Sequence, residues 1–164
     1  MDEALFWQLI EASWTDSPED NEDRIDALET NDEDELLELA DTMSDVIMHN
    51  YRRRLGELDK PSMAAFLRIL EVKMYELDRK EIHDHLDGSD DGFVYARGFV
   101  IFMGEEYFNK INEDPSQGTF DTRCEEFVFE GYSIYEEKFE EPFERYQVCS
   151  VETGSNKEGW PKEL

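Results

Sequence analysis

The stretch SDDGFVYARGFVIFMGEEYFNKI, residues 89–111, decides the fold class of this protein. Apolar side chains fall on every side of a helical wheel drawn from Phe93 to Ile111, and four of them are phenylalanines. A helix that is apolar all round is a buried helix in a soluble protein. The stretch therefore predicts an aromatic-rich central helix against which the rest of the chain packs.

The segments on both sides of this stretch show the three- and four-residue spacing of amphipathic helices. The longest patterns predict one helix over residues 31–58 and another over 59–86. Shorter patterns predict a helix at the N-terminus and one over 18–29, whose apolar residues include Ile25 and Leu28. No strand-rich block and no repeat interrupts this series. The predicted fold class is therefore all-α.

The length and composition of the chain fit one domain. Its 164 residues, of which 39% are hydrophobic and 13% aromatic, are enough to bury a core without a metal or a disulfide. The last predicted helix begins at about Asp121, and the helical pattern ends beyond Pro142. We therefore predict a compact single-domain bundle of about five helices over residues 1–144. An irregular tail over 145–164 is expected to pack on it.

Acidic residues dominate the composition and are concentrated in the first quarter of the chain. The 43 acids and 16 bases give a net charge of −27, and residues 1–45 hold 17 acids against one base, Arg24. A field of this sign repels nucleic acid and anionic membranes, and it attracts basic proteins. The sequence thus predicts a basic protein partner, with no direct nucleic-acid binding and no membrane binding.

No segment predicts export or membrane insertion. No apolar run reaches the ~20 residues of a transmembrane helix, and the N-terminus, MDEALFWQLI, has acids where a secretory signal has bases. Cys124 and Cys149 lack the CxxC spacing of zinc and redox sites, so both are predicted to be reduced and buried. Together these features predict a cytoplasmic protein.

The stretch HDHLDGSDDGF, residues 83–93, concentrates the residue types that bind metals. Counted from Asp87, it follows the pattern of an EF-hand loop until position 12, which is Gly98 and supplies no closing carboxylate. His83 and His85 are two residues apart, which places them on different sides of a helix and does not form a zinc motif. We predict no metal site and no cofactor.

The same run can instead cap the helix that follows it. Ser89, Asp90 or Asp91 can accept hydrogen bonds from the free N–H groups of the first turn, where the helix dipole favours an acid. Arg97 also needs a partner, because an unpaired buried guanidinium costs several kcal/mol. The candidate partners are acids, namely Asp90, Asp91, Glu125, Glu126 and Glu130. The sequence thus predicts a polar cluster, structural or lining a pocket, that comprises Ser89, Asp90, Asp91, Tyr95 and Arg97.

Three segments resemble the bacterial domain-of-unknown-function family 4240. They are MDEALFWQLIEAS at the start, SDDGFVYARGFVIFMGEEYF in the middle and EEFVFEGYSIYEE later in the chain. The first carries the Phe-Trp-x-Leu-Ile pattern from Phe6, and the second carries Ser-Asp-Asp-x-Phe-x-Tyr-x-Arg from Ser89 to Arg97. The chain departs from the family where HLDG precedes this motif, since members often have Gly-Gly-x-Cys there. The resemblance implies a bacterial, mostly helical domain with the Asp-Asp/Arg cluster as a family feature, and it implies no activity.

Three hypotheses for function remain open. The first is a non-enzymatic acidic protein that binds a basic protein, as an immunity protein or a nucleic-acid mimic inhibits a toxin or nuclease. The second is an enzyme or small-ligand module built on Asp90, Asp91 and Arg97. The third is a housekeeping domain whose charge has no specific role.

The charge pattern favours the first hypothesis. The sequence has no nucleophile–base pair, no phosphate-binding glycine loop and no metal-ligand spacing, so we predict no catalytic residue. The pattern gives no indication of the oligomeric state. The acidic face that would meet the partner comprises Glu19, Asp20, Glu22, Asp23, Asp26, Glu29, Asp32, Glu33, Asp34 and Glu35.

Overall fold

A computed structural model describes residues 1–162, and this part of the chain is helical without any strand. The prediction of an all-α fold is confirmed. The last two residues of the predicted tail, 163 and 164, lie outside the described residues. The helices are α1 Glu3–Thr15, α2 Pro18–Thr30, α3 Glu33–Thr42, α4 Val46–Gly56, α5 Lys60–Glu76, α6 Lys80–Leu86, α7 Asp90–Phe102, α8 Glu105–Glu113 and α9 Glu125–Phe139, with a 3-10 turn at Pro115–Gln117 between the last two.

The prediction of about five helices is wrong, because each of the long predicted helices is divided. The segment 31–58 forms α3 and α4 with a break at residues 43–45, and the segment 59–86 forms α5 and α6 with a break at 77–79. Asn31, at which the first of these helices was predicted to begin, has a left-handed φ of 52° and ends α2. Asp32 caps α3 instead, since its side chain accepts a hydrogen bond from the Glu35 N–H.

The prediction of one buried central helix over 93–111 is also wrong. Gly104 divides this segment, because its φ of 109° and ψ of 173° are incompatible with a continuous helix. Only the part before the break, α7, has a nearly completely buried surface. After it, α8 is amphipathic: it buries Tyr107, Phe108 and Ile111 and exposes Glu105 and Glu106.

Aromatic side chains from five helices meet in the core. Phe102 of α7 stacks on Phe127 of α9 with ring centroids 4.5 Å apart, and Tyr51 of α4 contacts both rings. Phe66 of α5 joins Tyr51 to Phe6 of α1. Such pairs stabilise the fold beyond the area they bury.

Helix α7 can approach α9 this closely because residue 98 is glycine. A Cβ atom at Gly98 would lie 2.5 Å from Cγ2 of Val128, which is shorter than any ordinary contact. Gly98, which cannot supply the closing carboxylate of a calcium loop, is therefore needed for the packing of α7 on α9.

The orientation of α2 is the opposite of what its apolar residues suggest. Arg24 and Ala27 are its buried residues, whereas the Ile25 side chain is 49% exposed and Leu28 is half-buried. The only base among the first 45 residues thus points inward. A large apolar side chain beside it points outward.

Two further predictions concern cysteines and membranes. Cys124 is buried as expected, but Cys149 is only partly buried, so the prediction of two buried thiols is wrong for Cys149. Burial raises the pKa of Cys124 to about 12. Within residues 1–162, no helix combines the length and the hydrophobicity that spanning a membrane requires.

Candidate functional site

The loop before α7 ends in a helix cap. Ser89 is the N-cap of α7, and its Oγ accepts a 3.1 Å hydrogen bond from the Gly92 N–H. Asp90 and Asp91 occupy the first turn and are exposed, so their charges face the solvent at the positive end of the helix. Asp87 orders this loop, because its Oδ1 accepts hydrogen bonds from both the N–H and the hydroxyl of Ser89.

Arg97 is completely buried and binds backbone carbonyls. Its guanidinium donates to the carbonyl oxygens of Met74 at 2.8 Å, Val151 at 2.7 Å and Phe93 at 3.3 Å. Desolvation lowers the pKa of Arg97 to about 10, so the side chain keeps its charge at neutral pH. No carboxylate of residues 1–162 forms a salt bridge with it, and the prediction that an acid would pair with Arg97 is wrong.

The five residues of the predicted polar cluster therefore do not form a common pocket. Ser89 caps the helix, and Asp90 and Asp91 face solvent. Arg97 is buried instead, and its guanidinium binds carbonyl oxygens at the end of α5 and in the C-terminal segment. Tyr95 is half-buried, and its carbonyl accepts a hydrogen bond from the Cys124 N–H.

Sequence reasoning missed two buried acids that hold the C-terminal segment. Asp78, which is completely buried between α5 and α6, accepts hydrogen bonds from the Gly154 N–H, the Asn156 N–H and the Trp160 Nε1–H at 2.8–2.9 Å. Glu71 on α5 accepts from the Tyr132 hydroxyl at 3.1 Å. The backbone N–H of Tyr146 donates to the same carboxylate.

These acids, together with Arg97, bind the segment from residue 140 to 162, which we call the C-terminal tail. It contains no helix or strand as far as residue 162. The only indication in the sequence that these three residues hold the tail is their position, because each charged residue stands where the helical pattern has apolar residues.

His83 lies under the C-terminal tail. Its ring packs edge-on between Phe93 at 5.0 Å and Trp160 at 5.2 Å, and among residues 1–162 neither ring nitrogen has a hydrogen-bond partner. His83 is thus buried, whereas His85, two residues later, is exposed. No group of three or more His, Cys, Asp or Glu side chains in the described chain has the geometry to hold a metal.

The ten residues of the predicted acidic face are brought together on two adjacent helices. Six lie on α2, three lie in the first turn of α3, and Asp32 caps α3. Asp20 is half-exposed and the other nine are exposed. Between the two helices is a groove of about 340 Å³, lined by Asp20, Asp23, Asp26, Glu35, Glu38, Leu39 and Thr42.

None of these ten acids forms a salt bridge with a base in the described residues. The bases that do form salt bridges pair with other acids: for example, Arg53 and Arg54 both bind Asp16, and Arg52 binds Glu130. Lys73, which is nearly buried, bridges Glu3 and Glu76. The negative charge of α2 and α3 is therefore not neutralised by neighbouring side chains.

Arg24 is the single base within this acidic region, and its charge is used inside the protein. Its guanidinium donates to the Met103 carbonyl at 3.1 Å and to Glu11 Oε1 at 2.5 Å, and it packs against the Trp14 ring at 5.1 Å. These contacts fix α2 to α1 and to the junction of α7 and α8. They leave the outer surface of α2 with acids as its only charged side chains.

Comparison with known proteins gives one family and no characterised relative. The family model described as "Protein of unknown function (DUF4240)" matches residues 34–141. No curated protein and no solved structure matches the chain. The matched range runs from the second residue of α3 to just beyond α9, and it excludes α1, α2 and most of the C-terminal tail.

Proposed function

This chain belongs to the DUF4240 family, and because the description of that family names no activity, we propose a function from the surface of the protein itself. The protein is an acidic, non-enzymatic binding protein that engages a basic protein partner. The contact surface is the acidic face of α2 and α3 defined above.

The observation that carries this proposal is the absence of ion pairs on the acidic face. Twelve other acids of the described chain take part in salt bridges, and none of the ten on this face does. Unpaired carboxylates on neighbouring helices repel one another and reduce the stability of the compact state. A basic partner would relieve this repulsion, and the long-range field would accelerate its association.

The alternative of an enzyme or small-ligand module has less support. It requires Asp90, Asp91 and Arg97 to meet at one site, whereas the two acids face solvent and Arg97 is fully occupied by backbone carbonyls. The hypothesis of a housekeeping domain also has less support. A charged surface without a specific role would not require one face to lack bases.

The partner chemistry is a cationic protein surface, such as that of a toxin nuclease or of a DNA-binding protein. In the first case the protein acts as an immunity protein, and in the second as a nucleic-acid mimic. Duplex DNA competes with the protein only where the partner surface is the DNA-binding surface itself. The two free cysteines fit our proposal that this takes place in the cytoplasm, where thiols remain reduced.

The test compares two variants of equal net charge. In the face variant, Glu19 and Glu22 are replaced by Gln and Asp20 and Asp23 by Asn. In the control variant, Glu113, Glu136, Glu137 and Glu158 are replaced by Gln, since these exposed acids form no salt bridge within residues 1–162 and lie outside α2 and α3. The partner is isolated from native cells with the wild-type protein and identified by mass spectrometry. Its association rate is then measured by stopped flow against ionic strength.

We expect the face variant to associate about tenfold more slowly at low salt and to show a weaker salt dependence. The control variant should keep most of the wild-type rate. Equal effects of the two variants would mean that only total charge matters and would refute a specific face. Association that does not respond to salt would refute the proposal altogether.

A further inference from the structure

The outer side of α2 borders a second groove, which is lined by both apolar and acidic side chains. It has a volume of about 320 Å³ and lies between α1, α2 and the start of α8. Its apolar wall is formed by Ile25, Leu28 and Met103, and its rim carries Glu29, Glu105 and Glu106. It is separate from the groove between α2 and α3.

Two residues of the apolar wall lie on α2, and Ile25 is the more exposed of them. Ile25, Leu28 and Glu29 lie at positions i, i+3 and i+4 and therefore share one side of the helix. Ile25 is 49% exposed although the adjacent Arg24 is buried. An exposed apolar side chain of this size next to a groove is typical of an interaction surface.

Two residues keep the groove open and fix its shape. Arg24 holds α2 in place through the Met103 carbonyl and Glu11. Gly104 turns the chain sharply at the start of α8, and a Cβ atom there would lie 3.2 Å from Arg24 Nη1. Because Arg24 neutralises Glu11, the unpaired charges of the groove are those of Glu29, Glu105 and Glu106.

We infer that this groove binds an arginine or lysine side chain, together with an adjacent apolar side chain, from a basic amphipathic helix of the partner. The aliphatic part of the basic side chain would lie on Ile25 and Leu28, as such chains commonly do on apolar surfaces. Its cationic end would reach the three carboxylates of the rim. The start of α8 is the positive end of the helix dipole and would by itself repel a cation. Glu105 and Glu106 in the first turn of α8 offset that repulsion.

The size of the groove supports this choice of ligand. Ligand sites for small molecules have volumes of about 300–1,000 Å³, so a groove at the lower limit suits one or two side chains better than a cofactor. Its charge excludes nucleotides and other phosphates. The inference rests on the proposed function, since it names the kind of basic surface that the acidic protein would recognise.

The test uses two synthetic peptides of the same length and net positive charge as probes. The first is an amphipathic helix that alternates arginines with leucines at three- and four-residue spacing. In the second, serine replaces every leucine. Affinities are measured by fluorescence anisotropy at 0.15 M salt, and Ile25→Ala is compared with Leu5→Ala, because Leu5 on α1 is 48% exposed and provides a matched apolar surface residue.

We expect wild-type protein to bind the leucine-containing peptide about tenfold more tightly than its serine counterpart, because apolar contact adds to charge. Ile25→Ala should remove most of that difference, while Leu5→Ala should leave it unchanged. Circular dichroism and thermal unfolding of Ile25→Ala confirm that the fold is retained. The site is located by nuclear magnetic resonance. Peptide binding should shift the amide resonances of α2 and of the first turn of α8, and no shift is required in α1.

Two results would overturn the inference. One is equal affinity of the wild-type protein for the two peptides, and the other is an equal loss for Ile25→Ala and Leu5→Ala. In either case the proposed function survives if the face variant still slows association with the native partner. Conversely, a normal association rate of the face variant refutes the proposed function whatever the peptides show.

Discussion

Arg97 on α7 donates a 2.7 Å hydrogen bond to the backbone carbonyl of Val151, which lies 54 residues later in the chain. The same guanidinium binds the Met74 carbonyl at the end of α5. A buried cation is thus satisfied by main-chain oxygens from two distant segments. One of these, Val151, lies beyond the range 34–141 that the family model matches.

Replacing Arg97 by methionine should destabilise the protein substantially. The buried carbonyls of Met74 and Val151 would lose their side-chain donor, and each orphaned group costs about 1–3 kcal/mol. The free energy of unfolding in urea measures this loss. Arg53→Met is the matched control, since the Arg53 side chain is 46% exposed and its ion pair with Asp16 is on the surface. Its effect should not exceed about 1 kcal/mol, and equal losses for both variants would contradict the role assigned to Arg97.

Replacing Asp78 by alanine should release the C-terminal tail. The Gly154 N–H, the Asn156 N–H and the indole N–H of Trp160 would lose their common acceptor. Hydrogen exchange of residues 146–162 should then accelerate by several orders of magnitude relative to α1, because exchange reports local opening. Asp84→Ala on α6 is the control, since Asp84 is exposed and its charge contacts within residues 1–162 are to side chains of its own helix. Unchanged protection in Asp78→Ala would show that the tail is held by other contacts.

The interaction of Asp16 with Arg53 and Arg54 should appear in the acid stability of the protein. A hydrogen bond from Arg54 lowers the pKa of Asp16 below its usual value of 3.8. A lowered pKa in the folded state contributes stability that is complete above about pH 4 and is lost as the pH falls through the folded pKa. The stability difference between wild type and Asp16→Asn should therefore be constant from pH 7 to about pH 5 and shrink below pH 4. A difference that stays constant down to pH 2 would argue against this ion pair.

Replacing Gly104 by alanine should strain the turn between α7 and α8. Its φ of 109° and ψ of 173° fall in a region that is essentially restricted to glycine, and placing another residue there costs about 1–3 kcal/mol. Gly56→Ala provides the contrast, because Gly56 is the last residue of α4 and a methyl group added there would have no neighbouring atom within 4 Å. That substitution should stabilise by up to about 1 kcal/mol. Thermal unfolding of the two variants should shift in opposite directions, and a shared direction would contradict the strain at Gly104.

The all-α fold was predictable because helical periodicity is a local property of the sequence. The helix count was not, because the breaks at residues 43–45 and 77–79 do not interrupt the apolar spacing. Buried residues such as Met43 and Leu77 lie within the breaks themselves, so the apolar pattern continues through them. Gly104 did carry a visible signal, since a glycine inside a helical pattern is a candidate break.

The polar contacts were less predictable than the helices. The sequence predicts Arg97 to be a buried cation in need of partners, and charge complementarity points only to acids. Main-chain carbonyls carry no residue-specific signal, so neither Met74 nor Val151 could be found by spacing. The outward orientation of Ile25 was equally unpredictable. It follows from the inward orientation of Arg24, which depends on contacts with Met103 and Glu11 outside α2.

The anchoring of the C-terminal tail has a consequence for the order of folding. Its bonds join residues 54 to 82 positions apart, from Arg97 to Val151 and from Asp78 to Trp160. Closing such long loops carries an entropic penalty that contacts between neighbouring helices avoid. The helices should therefore assemble in the transition state before the tail docks on them. Substitutions in the tail would then accelerate unfolding and leave the refolding rate almost unchanged.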